Sequence, residues 1–285
     1  MLRTTSPTLR TLERRDRDAV LALCATDPVA NVMLAERVQR VGSEPVRLGG
    51  EIWGWFSGGD LCAACWSGAN LVPVNATSPE ALDAFADQAR RRPGRYSSVF
   101  GPAEGVLGIW SRLERQGWRA RQVRPCQPLF ATSSRSALPP DPQVRRARLD
   151  EIATVLPASV AMFTEEVGYS PLRGDGGASY RRRVSELIAD RRTFIRRADG
   201  GAGHVVFKAD LGALSDLTAQ VHGVWIDPRH RGQGLAAPAM AAVVAQALDV
   251  APVVSLYVND FNAPALATYR RVGFEEVGAF ATVLF

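Results

Sequence analysis

Short apolar runs alternate with amphipathic stretches along the whole chain. Runs rich in β-forming residues predict strands, whereas apolar residues at three- and four-residue spacing predict helices. The first half is predicted to contain strands at 8–13, 51–56, 61–66, 71–76, 97–100 and 121–131, and helices at 17–41 (interrupted near Asp27 and Pro28), 78–91 and 103–116. The second half is predicted to contain strands at 144–149, 193–197, 204–210, 217–226 and 253–258, a last strand that ends at Phe285, and helices at 150–163, 180–189, 236–248 and 263–272.

The second half of the chain starts the order of elements in the first half again, which suggests an internal repeat. Residues 10–21 parallel residues 145–156. The pattern Leu113-x-x-x-Gly117-Trp118 likewise parallels Tyr269-x-x-x-Gly273-Phe274. Residues 133–142 have the serine and proline content of a linker. The sequence therefore predicts two domains, 1–135 and 136–285.

Residues 224–236 cross from a predicted strand into a predicted helix. Gly232 and Gly234 remove the Cβ atoms that would keep a ligand away from the backbone, and the helix that follows presents unpaired N–H groups. Arg229 and Arg231 add permanent positive charge. Such a loop is suited to phosphate, and a ligand with two phosphates fits it best. In the first half, residues 74–79 offer neither glycine nor arginine at the corresponding place.

The loop resembles the acetyl-CoA loop of the GCN5-related N-acetyltransferases (GNAT), Arg/Gln-x-x-Gly-x-Gly/Ala, through Arg229, Gly232 and Gly234. The same family carries Asn-x-x-Ala-x-x-x-Tyr-x-x-x-Gly-Phe in a later helix. This chain has Asn262, Ala265, Tyr269, Gly273 and Phe274 at that spacing. The resemblance covers residues 144–285. It implies a mixed α/β fold of two tandem GNAT-like domains, each a mostly antiparallel sheet flanked by helices, with a degenerate N-terminal copy.

The resemblance also implies roles for individual residues. Pantetheine is expected to run beside the strand that ends at Val224, Trp225 and Ile226, with the Val224 amide near the acetyl carbonyl. The amides of Gln233, Gly234, Leu235 and Ala236 are expected to bind the pyrophosphate, assisted by Arg229 and Arg231. Asn262 is expected to contact pantetheine, and Tyr269 to protonate the sulfur, with its hydroxyl reaching outward. Pro238 is expected to delay the start of the helix.

The general base is left open between several candidates. Glu165 and Glu166 lie on a segment that borders the acceptor pocket in the resembling family, although two adjacent carboxylates on a solvated loop would look the same. His222 is a second candidate, although a histidine on a strand is more often simply packed in the fold. His204 and His230 are weaker candidates for a functional role, and His230 could face the phosphate.

The cysteines do not indicate a metal site. Cys62 and Cys65 form a C-x-x-C, but strand alternation sends their side chains to opposite faces, and no second pair completes a zinc set. Together with Cys24 and Cys126, they are interpreted as buried, small apolar residues. No metal is expected.

Composition narrows the class of protein. The chain has 285 residues, a hydrophobic share of 46% and a net charge of +5, which comes almost wholly from arginine because Lys208 is the only lysine. The arginines are dispersed, so no nucleic-acid partner is expected, while the positive balance favours an anionic cofactor. Residues 1–7 lack a signal pattern and the apolar stretch 235–258 is interrupted, so the protein is expected to be cytoplasmic and without a membrane partner.

The function expected from these observations is an acetyl-CoA-dependent N-acetyltransferase. It would move an acetyl group to a primary amine of a small molecule, protein or peptide, by direct attack in a ternary complex. The alternative is a non-catalytic acyl-CoA-binding sensor or interaction protein. A degenerate dinucleotide fingerprint at 232–237 fits less well, because that motif belongs early in a βαβ array. Whether the chain forms a homodimer stays open.

Overall fold

The computed structural model describes residues 7–41, 49–173, 175–198 and 203–285. Its first half contains β1 (Thr8–Thr11), α1 (Arg17–Ala25), α2 (Val32–Val41), β2 (Glu51–Ser57), β3 (Asp60–Ser67), β4 (Asn70–Val74), α3 (Pro79–Arg90), β5 (Ser98–Pro102), α4 (Ala103–Arg115) and β6 (Gln122–Thr132). Its second half contains β7 (Arg145–Arg146), α5 (Ile152–Val167), α6 (Ala178–Ala189), β8 (Thr193–Arg197), β9 (Val205–Leu214), β10 (Thr218–Ile226), α7 (Ala236–Ala247), β11 (Val253–Tyr257), α8 (Ala263–Val272) and β12 (Glu275–Leu284). Strands and flanking helices follow the predicted order, which confirms the mixed α/β class.

Contacts divide the chain into two compact units, but not into two contiguous halves. Unit 1 comprises Met1–Phe130, Tyr257–Asn262 and Glu276–Phe285, and unit 2 comprises Ala131–Leu256 and Ala263–Glu275. The division at residues 135 and 136 expected from the sequence differs from this grouping, because the last strand joins the first unit. Ala281 and Val283 of β12 are fully buried in a core cluster of unit 1, which is the physical reason for the exchange.

Unit 1 is built on a sheet with the strand order β1-β2-β3-β4-β5-β12-β6. The strands β1 to β4 pair antiparallel with their neighbours in sequence, β4 and β5 pair in parallel, and β5 pairs with β12 antiparallel. One core cluster centres on Trp53 and Phe85 and includes residues of α3 and α4. Another centres on Leu12 and Leu34 and includes residues of α1 and α2. The two clusters are the apolar cores between the sheet and these helices.

Unit 2 is built on a sheet with the strand order β11-β10-β9-β8-β7. All its pairs are antiparallel except β10 with β11, which is parallel. A core cluster that includes Val155 of α5, Val184 of α6 and Trp225 of β10 joins these helices to the sheet. The helix α7 packs against α8. The strand predicted at 144–149 is shortened to β7, because Leu149–Glu151 forms a 3-10 turn that leads into α5.

The cysteines follow the prediction only in part. Cys24 and Cys65 are buried, as expected, but Cys62 and Cys126 are exposed. On β3 the register shifts opposite Trp55 and Phe56, and Cys62 is the residue left over at this irregularity. The interpretation of all four cysteines as buried residues was therefore wrong for Cys62 and Cys126.

The internal repeat is visible in a hydrogen-bonded pair that occurs once in each unit. In unit 1 the guanidinium of Arg10 donates to both carboxylate oxygens of Asp16, at 2.7 and 2.6 Å. In unit 2 Arg145 donates to both oxygens of Glu151, also at 2.7 and 2.6 Å. Each carboxylate also accepts a backbone N–H three residues earlier. The same device thus fixes the entry into the first helix of both units.

No helix among the described residues combines the length and the apolar character needed to cross a membrane.

The Arg145–Glu151 pair predicts a pH-dependent stability. The hydrogen bond from Arg145 lowers the pKa of Glu151 from 4.5 to about 2. A carboxylate whose pKa is lower in the folded than in the unfolded protein stabilises the fold at pH values above its unfolded pKa. This stabilisation is lost as the pH falls from the unfolded pKa to the folded pKa. Glu151→Gln should therefore lower the free energy of unfolding by about 2 kcal/mol at neutral pH, and by progressively less below about pH 4.5.

Chemical denaturation of both proteins at several pH values measures this difference. Asp150→Asn is the matched control, because the Arg148–Asp150 pair is exposed and should contribute little. An equal loss in both variants at neutral pH would contradict the assignment.

Candidate functional site

The chain passes from β10 into α7 through a loop centred on Gly232 and Gly234. Both glycines have positive φ, 74° and 75°, a conformation that residues with a Cβ rarely adopt. Leaving aside chain neighbours, no described atom lies within 4 Å of where a Cβ would stand at either position. Backbone conformation rather than crowding therefore requires glycine here, and the loop surface is open.

The helix α7 begins at Ala236, directly after this loop. Leu235 is the residue before the helix and supplies no side-chain cap. Pro238 stands in the first turn, where an N–H would have no helical partner in any case, so it does not delay the helix as the sequence had suggested. Uncapped N–H groups and the positive end of the helix dipole make this place attractive to an anion.

Asp227 holds the turn before the loop. Its carboxylate is buried and accepts the backbone N–H of Arg229 at 2.9 Å, and the Arg229 guanidinium donates to both of its oxygens, at 3.1 and 2.7 Å. These bonds hold the pKa of Asp227 well below its usual range. Arg229 is thus engaged with a carboxylate of its own unit, although the sequence had assigned its charge to a phosphate.

Arg231 is also paired. Its guanidinium donates to Glu165 at 2.6 Å and to the carbonyl of Ile226 at 3.0 Å. Glu165 accepts a second bond, from the indole N–H of Trp225, at 3.1 Å. Glu165 lies in the last turn of α5 and not on a solvated loop. It therefore connects this helix to β10 and to the loop.

Tyr269 lies on α8 and is only 7% exposed. Its ring meets that of Phe274 edge-on, with centroids 6.1 Å apart. Burial raises the pKa of Tyr269, and the negative charge of Glu166 raises it further. Tyr269 is therefore buried, and its phenol stays protonated at neutral pH. Asn262 directly precedes α8, and its backbone N–H donates to the Asn259 carbonyl.

The ladder between β10 and β9 is interrupted just before the loop. The register shifts between His222 and Trp225, so Gly223 and Val224 have no partner on β9, and Gly223 has a φ of 57°. On its other edge, β10 pairs with β11 only over Thr218–Gln220. The strands thus part before Val224, which leaves strand edge beside this residue for an extended ligand.

Sequence reasoning missed two buried polar residues where β10 and β11 part. Gln220 and Ser255 are register partners with no exposed surface. The amide nitrogen of Gln220 and the hydroxyl of Ser255 have no hydrogen-bond partner within the described part of the chain. The amide oxygen of Gln220 lies 2.8 Å from His222 Nε2. A polar residue in an otherwise apolar strand was the signal that could have found them.

The corresponding loop of unit 1 is closed. Asn75, at a φ of 50°, donates to the hydroxyl of Thr26 at 2.8 Å and accepts from Asn31 at 3.0 Å. The N-terminus of α3 is capped by the Ser78 hydroxyl, which accepts the N–H of Ala81 at 3.2 Å. The loop before α3 therefore forms hydrogen bonds within unit 1, whereas the start of α7 has no side-chain cap.

Comparisons with known families match different parts of the chain. Residues 170–274 match the acetyltransferase (GNAT) family. Residues 50–155 match a domain of unknown function, DUF4081. A comparison with curated proteins gives no significant sequence match.

Several solved structures share the fold over nearly the whole chain. A tandem GNAT protein from the clavulanic acid biosynthesis pathway is 15% identical, covers 97% of this chain and 98% of its own, and has a TM-score of 0.55. A GCN5-related N-acetyltransferase from Sphaerobacter thermophilus is 14% identical, with coverages of 97% and 94% and a TM-score of 0.58. A GNAT-family acetyltransferase from Colwellia psychrerythraea is 12% identical, with coverages of 98% and 99% and a TM-score of 0.57. At these identities the likeness concerns the fold.

His222 is predicted to stay neutral well below neutral pH. Its burial lowers the pKa to about 4, the charge of Arg183 on α6 adds to this shift, and Asp210 on β9 opposes it. The unfolded chain takes up this proton near pH 6.5, so His222 should lower stability as pH falls from about 6.5 to about 4.

Imidazole NMR shifts followed against pH test this prediction, with His222→Gln to assign the signal. We expect one of the three histidines to titrate near pH 4. A midpoint near the ordinary value for His222 would show that the ring is solvated.

Proposed function

We propose that unit 2 binds acetyl-CoA and transfers the acetyl group to a primary amine, a proposal supported by the match of residues 170–274 to the GNAT acetyltransferase family. The observation that carries this proposal is the open, glycine-containing loop placed between the interrupted end of β10 and the uncapped start of α7. It offers phosphate-binding amides at one end and an unpaired strand edge at the other. Acyl-CoA has a pyrophosphate and an extended amide-bearing arm in that order.

In this proposal the pyrophosphate is bound by main-chain groups. The amides of Gln233, Gly234, Leu235 and Ala236 surround the anion, and the α7 dipole adds to the attraction. The Gln233 side chain donates to the Arg229 carbonyl at 3.0 Å and so helps to hold the loop. Arg229 and Arg231 are paired with carboxylates, so their main contribution is to shape the turn rather than to supply unbalanced charge.

The arm of the cosubstrate would lie along β10 where the ladder is interrupted. Val224 would donate its amide to the acetyl carbonyl and stabilise the negative charge that develops there. Trp225 and Ile226 continue the same strand towards the loop, and Asn262 is proposed to contact the pantetheine. The position of Trp225 is fixed by its bond to Glu165.

The reaction joins an amine to the acetyl carbon and breaks the bond from that carbon to sulfur. The amine nitrogen attacks the carbonyl, the thiolate leaves, and Tyr269 donates its proton to the sulfur. The amine loses one proton to a base. Glu166 is the better of the two glutamate candidates, because its charge acts on Tyr269 while Glu165 is held by two donors. His222, with a pKa of about 4, would be a weak base.

Unit 1 is proposed to bind no acyl-CoA. Its corresponding loop is closed by Asn75, and Ser78 caps the helix that follows. One cosubstrate per chain is therefore the stoichiometry that we propose.

Gly234→Val is predicted to abolish acetyl-CoA binding while the fold is retained. A β-branched residue is strained at a φ of 75°, so the loop should change its conformation and withdraw its amides. Isothermal titration with acetyl-CoA measures this effect, and wild type should bind one equivalent. Gly117→Val in unit 1, at a φ of 90° and also in open space, is the matched control and should retain full affinity. Unchanged binding by Gly234→Val would refute the proposed loop.

Tyr269→Phe is predicted to lower turnover by about 10²–10⁴-fold, because only the proton donor is removed. The acetyl-CoA affinity should change little, since the ring packing is kept. Thiol release measured with a panel of amines and peptides gives the rate and also identifies the acceptor class. Tyr96→Phe, which removes a buried hydroxyl bonded to Ser67 in unit 1, is the control. Wild-type turnover in Tyr269→Phe would exclude the acid role, and acetyl-CoA binding without thiol release by wild type would favour the sensor alternative.

A further inference from the structure

Two of the three histidines of the chain converge on one buried carboxylate. His204 lies just before β9, and His230 lies in the turn after β10. His204 Nε2 is 3.1 Å from one oxygen of Asp227, and His230 Nδ1 is 3.7 Å from the other. The ligand atoms of all three residues lie within 4.8 Å of one another. The sequence did not reveal this set, because the two histidines are 26 positions apart and no metal was expected.

We propose that His204, Asp227 and His230 form a binding site for a divalent transition-metal ion of the Zn²⁺ class. Two imidazole nitrogens and one carboxylate oxygen are a common donor set for such ions, with a water molecule in the remaining position. At metal–ligand distances of about 2.0–2.2 Å, neighbouring ligand atoms of a tetrahedral ion are about 3.3 Å apart. The observed separations need only small side-chain movements to reach this value.

The surroundings of His230 Nδ1 support a cation at this place. His230 Nδ1 is buried and has no hydrogen-bond partner among the residues that the structure describes. At 3.7 Å it is too far from Asp227 for a hydrogen bond but near enough to share an ion with it. A buried polar atom without a partner requires an explanation, and a metal ligand provides one.

The guanidinium of Arg229 places a positive charge where the metal ion is proposed to bind. Its terminal nitrogen lies 2.7 Å from Asp227 and 2.9 Å from His204 Nε2. A guanidinium only donates, so this contact is a hydrogen bond in the tautomer whose Nε2 presents a lone pair, which is also the tautomer that a metal requires. Arg229 therefore occupies part of the proposed site. Its side chain is 70% exposed and can move out into solvent when an ion replaces it.

Competition between Arg229 and the metal gives the proposal a specific consequence. Removal of the guanidinium should strengthen metal binding, whereas removal of either imidazole should weaken it. None of the three ligands is assigned to the acetyl group or the acceptor. Asp227 also holds the turn before the glycine loop, so the site is tested by metal binding itself and not by acyl transfer.

Titration of the metal-free full-length protein with Co²⁺ and with Zn²⁺, in a buffer without phosphate or thiol, tests the site. We expect one equivalent to bind, and the Co²⁺ form to show visible absorption of a four-coordinate ion without a thiolate charge-transfer band. His204→Gln and His230→Gln should each weaken binding at least tenfold. Arg229→Gln should bind more tightly than wild type.

His222→Gln is the matched control, because His222 is the third histidine and lies outside the set. Circular dichroism and thermal unfolding verify that every variant is folded. The proposal is overturned if no stoichiometric binding occurs, or if the His204 and His230 variants bind like wild type. It is also overturned by a thiolate band, which would assign the ion to the exposed Cys62 and Cys126.

Discussion

The buried carboxylate of Asp227 determines the geometry of the loop after β10. It accepts the backbone N–H and the guanidinium of Arg229, and so fixes the turn from which Gly232 and Gly234 follow. A buried charge is tolerated only when it is paired and hydrogen-bonded, and Arg229 is the first of the groups that stabilise the ionised aspartate. Arg229, whose positive charge the sequence analysis assigned to a phosphate, thus stabilises the turn before the loop.

A second charged pair extends this control to the helix α5. Glu165 accepts from Trp225 on β10 and from Arg231 in the loop, so one carboxylate ties helix, strand and loop together. In the proposed function this helix borders the acceptor. Through these two bonds the position of α5 depends on the position of the loop.

The two units show what a repeated fold keeps and what it loses. Both keep the arginine–carboxylate pair at the entry to the first helix, because that pair stabilises the unit itself. Of the two corresponding loops, both within the described residues, only that of unit 2 has glycines at positive φ before a helix without a side-chain cap. In unit 1, Asn75 and Ser78 turn the same region inward, where it satisfies its own hydrogen bonds.

The sequence by itself determined the order of strands and helices, the repeat and the position of the open loop. These features depend on local periodicity and on glycine, whose effects act within a few residues. Tertiary structure decided where β12 pairs, that Tyr269 is buried, that Arg229 and Arg231 are paired, and that His204 and His230 meet at Asp227. Each of these depends on contacts between residues distant in sequence or on the exact direction of a side chain. A strand can pair with any edge that its apolar face fits, and a charged side chain takes whichever partner the fold brings near, so neither outcome is written in the local pattern.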